Sequence, residues 1–97
     1  MGLILVDIVA EAVRDDGRWV CVGVGLNDVW VVISRSGTAA WIFRYLDPDA
    51  ALARFFEHAN VHPFSAHIPD NTRLVVHKPS MFRLPSMEAW KRIGGED

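Results

Sequence analysis

Cysteine is nearly absent from the sequence, since Cys21 is the only one in 97 residues. A single cysteine cannot form a disulfide within the chain, which excludes the small disulfide-stapled domains of secreted proteins. Such sparse use of cysteine is typical of a reducing compartment, so the sequence predicts a cytoplasmic protein. Cys21 itself lies in an apolar stretch, where a thiol is usually inert.

Long apolar runs, a targeting signal and a strong net charge are also missing. No stretch reaches the roughly 18 apolar residues that a membrane-spanning helix needs. The apolar N-terminus lacks a basic region and is interrupted by Asp7 and Glu11. The formal net charge is −2, which provides no long-range attraction for nucleic acid or anionic membranes. We therefore expect no membrane contact and disfavour nucleic acid as a partner.

Signatures of catalysis are absent as well. The segment GVGLND (23–28) lacks the third glycine of a dinucleotide-binding motif, and a strand pattern follows it. His58 and His62 are four residues apart and His67 follows, but Asn60 indicates that the helix is already ending there. A metal-dependent enzyme built on these histidines is the least favoured alternative. We predict no catalytic residue, no cofactor and no metal ligand.

What the first half of the chain does contain is a succession of segments rich in β-branched and aromatic residues. These segments predict four strands, over residues 3–13, 18–24, 29–34 and 39–45. Three short stretches of turn residues separate them: DDG (15–17), GLND (25–28) and RSGT (35–38). Connections this short join neighbouring antiparallel strands, so the pattern predicts a β-meander.

The apolar period changes after the fourth strand. Residues 46–60 predict a helix with Asp47 as its N-cap and Pro48 in its first position. Its apolar residues share one face: Leu52, Phe55, Phe56 and Ala59.

The remaining chain predicts two more elements, a short strand over 72–78 and a final helix over 86–95. The predicted fold class is therefore α+β. A four-stranded antiparallel β-meander is followed by a helix, a fifth strand and a short C-terminal helix, all in one domain over residues 1–97.

Pairing the strands by their turns predicts two different sheet faces. With Val24 opposite Val29 and Arg35 opposite Thr38, one face is aliphatic and the other is aromatic. We expect the first helix to cover the aliphatic face, over Val20, Val22, Val31 and Ile33. Gly23 is expected to leave space beside Trp30.

The aromatic face then needs a cover of its own, which is either the C-terminal segment or a partner. The leading hypothesis is a small non-catalytic protein-binding module of the inhibitor or adaptor type, homodimeric, for which phage-encoded inhibitors of bacterial defence systems are an analogy. The alternative is a small-molecule or nucleotide-binding domain that uses the aromatic face. The predicted partner-binding residues are Trp19, Trp30, Trp41, Phe43, Tyr45, Met81, Phe82 and Arg83.

Overall fold

The computed structural model describes residues 5–61 and 70–78, which form an antiparallel sheet and one helix. The elements in chain order are β1 (Leu5–Arg14), β2 (Trp19–Gly25), β3 (Trp30–Ser36), β4 (Ala39–Tyr45), α1 (Pro48–Ala59) and β5 (Thr72–Val76). The five strands lie in the order β4-β3-β2-β1-β5. The α+β class, the meander, the helix and the fifth strand are confirmed. The predicted C-terminal helix lies outside the described residues.

The two ends of α1 follow the local chemistry of the sequence. The Asp47 carboxylate accepts a hydrogen bond of 3.1 Å from the Asp49 backbone N–H, and Pro48 fills the first helical position. Asn60 ends the helix in the left-handed conformation, with φ 58°, and its N–H donates to the Glu57 and Phe56 carbonyls. Asparagine tolerates this conformation better than most residues, which explains the position of the helix end.

The predicted pairing of β2 with β3 is wrong by one residue. Trp30, not Val29, lies opposite Val24, and the Gly25 N–H donates to the Val29 carbonyl at 2.7 Å. The connection is a compact turn over Leu26–Asp28 instead of a four-residue loop, and Asn27 (φ 60°) and Asp28 (φ 59°) adopt the left-handed conformation in it. A shift of one residue exchanges the two faces of β3 and β4 relative to β2.

The predicted pairing of β3 with β4 is wrong by two residues. Ser36 lies opposite Ala39, so the turn consists of Gly37 and Thr38 instead of Ser36 and Gly37. Gly37 has φ 60°, the positive value that a tight hairpin turn requires and that glycine adopts without strain. Because the side-chain period of a strand is two, this shift leaves each residue of β4 on its expected side of the hairpin.

The hydrophobic core lies between α1 and one face of the sheet. Phe55 is fully buried there among Val20, Val22, Trp30 and Val32. The expectation that α1 covers β2 through Val20 and Val22 is confirmed. The expectation for β3 is wrong, because the shifted register turns Val31 and Ile33 to the other face. We call this the open face because no described helix or strand packs extensively on it, although Cys21 and Val31 on this face are buried.

The structure requires a glycine at position 23, but for a different reason from the one predicted. Its neighbour across β2 and β3 is Val31, not Trp30. On its other side, an added Cβ would lie only 2.7 Å from the Asp7 carbonyl oxygen in β1. The glycine therefore permits the close approach of β1, next to the bulge where the register shifts between Ile8 and Ala10.

Candidate binding site

The predicted partner-binding aromatics do not form one surface. Trp30, Phe43 and Tyr45 lie in or against the core beneath α1. Trp41 shares that face of the sheet but remains 47% exposed. Trp19 lies on the open face, opposite Arg35 of β3. Of the rest of the predicted set, Met81, Phe82 and Arg83 lie outside the described residues.

A cleft of about 370 Å³ lies on the helix face, where the C-terminal end of α1 meets the ends of the strands. The sheet and its β1–β2 turn contribute Arg14, Arg18, Ser34, Ser36 and Trp41 to its lining. The end of α1 contributes Glu57, His58 and Asn60. Cations, hydroxyls and an exposed indole ring thus converge in one depression, which makes it the best candidate for a ligand site within residues 5–61 and 70–78.

The two arginines of the cleft flank the turn between β1 and β2. The Arg14 backbone N–H donates to the Arg18 carbonyl at 2.9 Å, which fixes the base of the turn. Asp16 in the turn lies near both guanidinium groups, with N–O distances of 3.7 Å to Arg14 and 3.6 Å to Arg18. The Nε atom of Arg14 is buried and has no hydrogen-bond partner in the part of the chain that the structure describes.

His58 is held in the cleft by contacts with β3 and β4. Its Nδ1 shares a hydrogen bond of 3.2 Å with the Ser34 hydroxyl. Its ring lies 5.2 Å from the Phe43 ring, between centroids. The imidazole is therefore fixed in orientation by α1 and the sheet together.

One turn before His58 on α1, Arg54 is also anchored to the sheet. Its Nε–H donates to the Tyr45 hydroxyl at 2.8 Å, and its guanidinium carbon lies 4.6 Å from the centre of the Phe43 ring. The hydrogen bond to Tyr45 is the main cause of a raised pKa for Arg54. The Arg54 guanidinium is thus hydrogen-bonded to a side chain, whereas those of Arg14 and Arg18 have only the longer ion pairs with Asp16.

A second polar cluster lies on the open face, on β1, β2 and the residue after β5. The Glu11 carboxylate accepts hydrogen bonds from Trp19 Nε1 at 3.3 Å and from His77 Nε2 at 2.9 Å. The hydrogen bond from His77 is the largest cause of a lowered pKa for Glu11, against the opposing effect of burial. All three side chains are satisfied by one another, so the cluster joins strands and offers few free groups to a ligand.

The described side chains do not form an evident nucleophilic or metal-binding site. Burial raises the pKa of the Cys21 thiol to about 11, so it is protonated at neutral pH. The described residues contain no group of three side chains that could hold a metal ion. His58 bonds to Ser34, while His62 and His67 lie outside the described residues.

Sequence reasoning missed Arg14, Arg18 and Ser34 as members of a site. The sequence does carry a signal for the arginines, because a turn centred on residues 15–17 places Arg14 and Arg18 opposite each other. Their meeting with the end of α1 could not be inferred, since it depends on the angle at which the helix crosses the sheet.

No protein family model matches the chain, and neither a curated protein nor a solved structure matches it. Within residues 5–61 and 70–78, no helix is long and apolar enough to cross a membrane.

Proposed function

We propose that the protein is a non-catalytic protein-binding module that pairs with a second copy of itself through the β4 edge. The observation that carries the proposal is the apolar character of this strand, which ends the described sheet on one side. Trp41 and Ile42 are 47% and 48% exposed, on opposite faces of β4. Leu46, directly after the strand, is 84% exposed.

An edge strand of this kind normally carries features that prevent pairing with other chains. Lysines, prolines, bulges and inward-pointing charges are the usual ones. β4 is seven residues long, AAWIFRY, and its only charged residue is Arg44. Its pairing with β3 is regular from Ala39 to Tyr45. The strand is thus suited to accept another strand by backbone hydrogen bonds.

A second copy fits this edge with matched side chains. In an antiparallel pair centred on Ile42, Trp41 of each copy lies opposite Phe43 of the other, and Arg44 lies opposite Ala40. Aromatic side chains then meet across the two-fold axis and like charges do not face each other. The axis is perpendicular to the sheet, so both copies of α1 lie on the same face of one continuous sheet.

The proposal extends to the way in which such a dimer acts. A module without catalysis acts by occupying or linking other proteins, as inhibitors and adaptors do, and a phage-encoded inhibitor of a bacterial defence system is an analogy at the level of fold and size. We also propose a cytoplasmic location, which a single reduced cysteine supports.

Light scattering after size exclusion tests the pairing. The wild-type chain is expected to have a mass close to twice 10.9 kDa, and Ile42→Lys is expected to shift it to the monomer. Val13→Lys is a matched control, because Val13 is also a strand residue, is 43% exposed and lies on β1, away from β4.

Circular dichroism establishes that each variant remains folded. A monomeric wild-type chain at about 100 μM would overturn the homodimer, since a specific strand-paired interface is expected to form well below that concentration. An equal loss of mass in Ile42→Lys and Val13→Lys would place the contact elsewhere on the molecule.

A further inference from the structure

We propose that the cleft at the end of α1 binds a nucleoside monophosphate, through an oxyanion site on Arg14 and Arg18 and a ring site on Trp41. The oxyanion site is separate from the β4 pairing, because Arg14 ends β1 and Arg18 directly precedes β2. Trp41 of β4, in contrast, belongs both to the ring site and to the proposed pairing. It rests on unused hydrogen-bond donors, on an exposed indole and on the polar groups that lie between them.

The two guanidinium groups have donors to spare. Arg14 and Arg18 form ion pairs with Asp16, but the N–O distances of 3.7 Å and 3.6 Å are too long for hydrogen bonds. The buried Nε of Arg14 has no acceptor among the described residues. A buried donor without an acceptor is costly, and native proteins rarely keep one without a reason. A phosphate in the cleft would be reached by the accessible outer nitrogens of the two guanidinium groups, and a pair of arginines suits the charge and geometry of a phosphate.

The ring site is formed by Trp41. Nearly half of this side chain is exposed where it lines the cleft. A base or another flat ring can stack on an exposed indole, and such stacking contributes to affinity without selecting one base. His58, fixed by Ser34 and Phe43, offers its remaining ring nitrogen at the same cleft.

The remaining lining suits the sugar. Glu57 and Asn60 carry oxygens that accept hydrogen bonds from ribose hydroxyls, and Glu57 also restricts the anion to the arginine side of the cleft by like-charge repulsion. The volume of about 370 Å³ falls in the lower part of the range of roughly 300–1,000 Å³ for small-molecule sites. A single nucleotide therefore fits better than a dinucleotide or a polymer.

Calorimetric titration of the full chain with adenosine monophosphate at low salt tests the proposal. One saturable site is expected. Adenosine, which lacks the phosphate, and inorganic phosphate, which lacks the ring, are each expected to bind about tenfold more weakly or worse, because each loses one of the two sites.

Two variants and one control assign the binding to the cleft. Arg18→Met removes a mostly exposed cation, so folding is unaffected, and is expected to weaken binding about tenfold or more. Trp41→Leu is expected to weaken the binding of the nucleotide but not of inorganic phosphate. Arg35→Met removes an exposed arginine of β3 from the open face and is expected to leave the affinity unchanged.

Three results would overturn the proposal. The first is the absence of binding at millimolar nucleotide. The second is equal affinity for nucleotide and inorganic phosphate, which would leave no role for the ring. The third is an equal loss in Arg18→Met and Arg35→Met, which would indicate attraction by overall charge instead of a site.

Discussion

His77 Nε2 lies 2.9 Å from Glu11 Oε2, which joins the end of β5 to the middle of β1 on the open face. The other carboxylate oxygen of Glu11 accepts a hydrogen bond from Trp19 on β2. One carboxylate thus connects three neighbouring strands. Backbone bonds reinforce the same place, since the N–H groups of His77 and Lys78 both donate to the Val9 carbonyl.

This relationship predicts a dependence of stability on acid pH. The folded state lowers the pKa of Glu11 from its ordinary value of 4.5, chiefly through the hydrogen bond from His77. The stabilisation is therefore fully present above the unfolded pKa and is lost as the pH falls through the lower, folded pKa. We expect Glu11→Gln to be less stable than wild type at neutral pH, and the difference to shrink steadily as the pH falls below the ordinary pKa of 4.5.

Urea unfolding followed by circular dichroism at several pH values measures this difference. His77→Gln removes the largest cause of the lowered pKa. The pH-dependent part of the Glu11→Gln effect should therefore diminish when it is measured in the His77→Gln background. A Glu11→Gln effect that is the same from neutral to acid pH would contradict the assigned role of the carboxylate charge.

Gly23 predicts a second measurable effect, on packing between strands. Gly23→Ala places a Cβ 2.7 Å from the Asp7 carbonyl oxygen, and neither backbone can move without disturbing the pairing of β1 with β2. We expect a loss of about 1–3 kcal/mol in the free energy of unfolding, as for other overpacked sites.

Gly17→Ala separates this steric effect from the general cost of replacing a glycine. An added Cβ at Gly17 meets nothing within 4 Å, so only its φ of +88° opposes the change. That cost is roughly 1 kcal/mol. If Gly23→Ala unfolds at the same urea concentration as wild type, the close approach of β1 to β2 is not as described.

The elements of the fold can be predicted from local sequence because their signals are local. Asp47, Pro48 and Asn60 mark the ends of α1, and glycines mark two of the turns. The register of β2 with β3 cannot be predicted in this way, because it depends on whether Gly25 belongs to the strand or to the turn. The two residues before Val29 both have positive φ, and this compact turn leaves Gly25 paired.

The candidate site is harder to predict for a related reason. Its members come from β1, the turn that follows it, β3, β4 and the end of α1, so every error in register or helix placement moves them apart. Aromatic character alone makes Trp41 a candidate binding residue, but it does not reveal the neighbouring Arg14 and Arg18. Residue type can therefore suggest single binding residues, but the cleft itself is defined only by how the helix lies on the sheet.

The placement of α1 predicts which residues of β3 are energetically coupled to the helix. Val32 is buried in the same core cluster as Phe55, whereas Ile33 points to the open face. In double-mutant cycles, Phe55→Leu with Val32→Ala is expected to show a coupling of about 0.5–3 kcal/mol. Phe55→Leu with Ile33→Ala is expected to be additive within about 0.5 kcal/mol. Urea unfolding of the single and double variants gives both values, and Phe55→Leu is used because it keeps an apolar group in the core. The reverse pattern, with Ile33 coupled and Val32 additive, would restore the register in which the helix covers Val31 and Ile33.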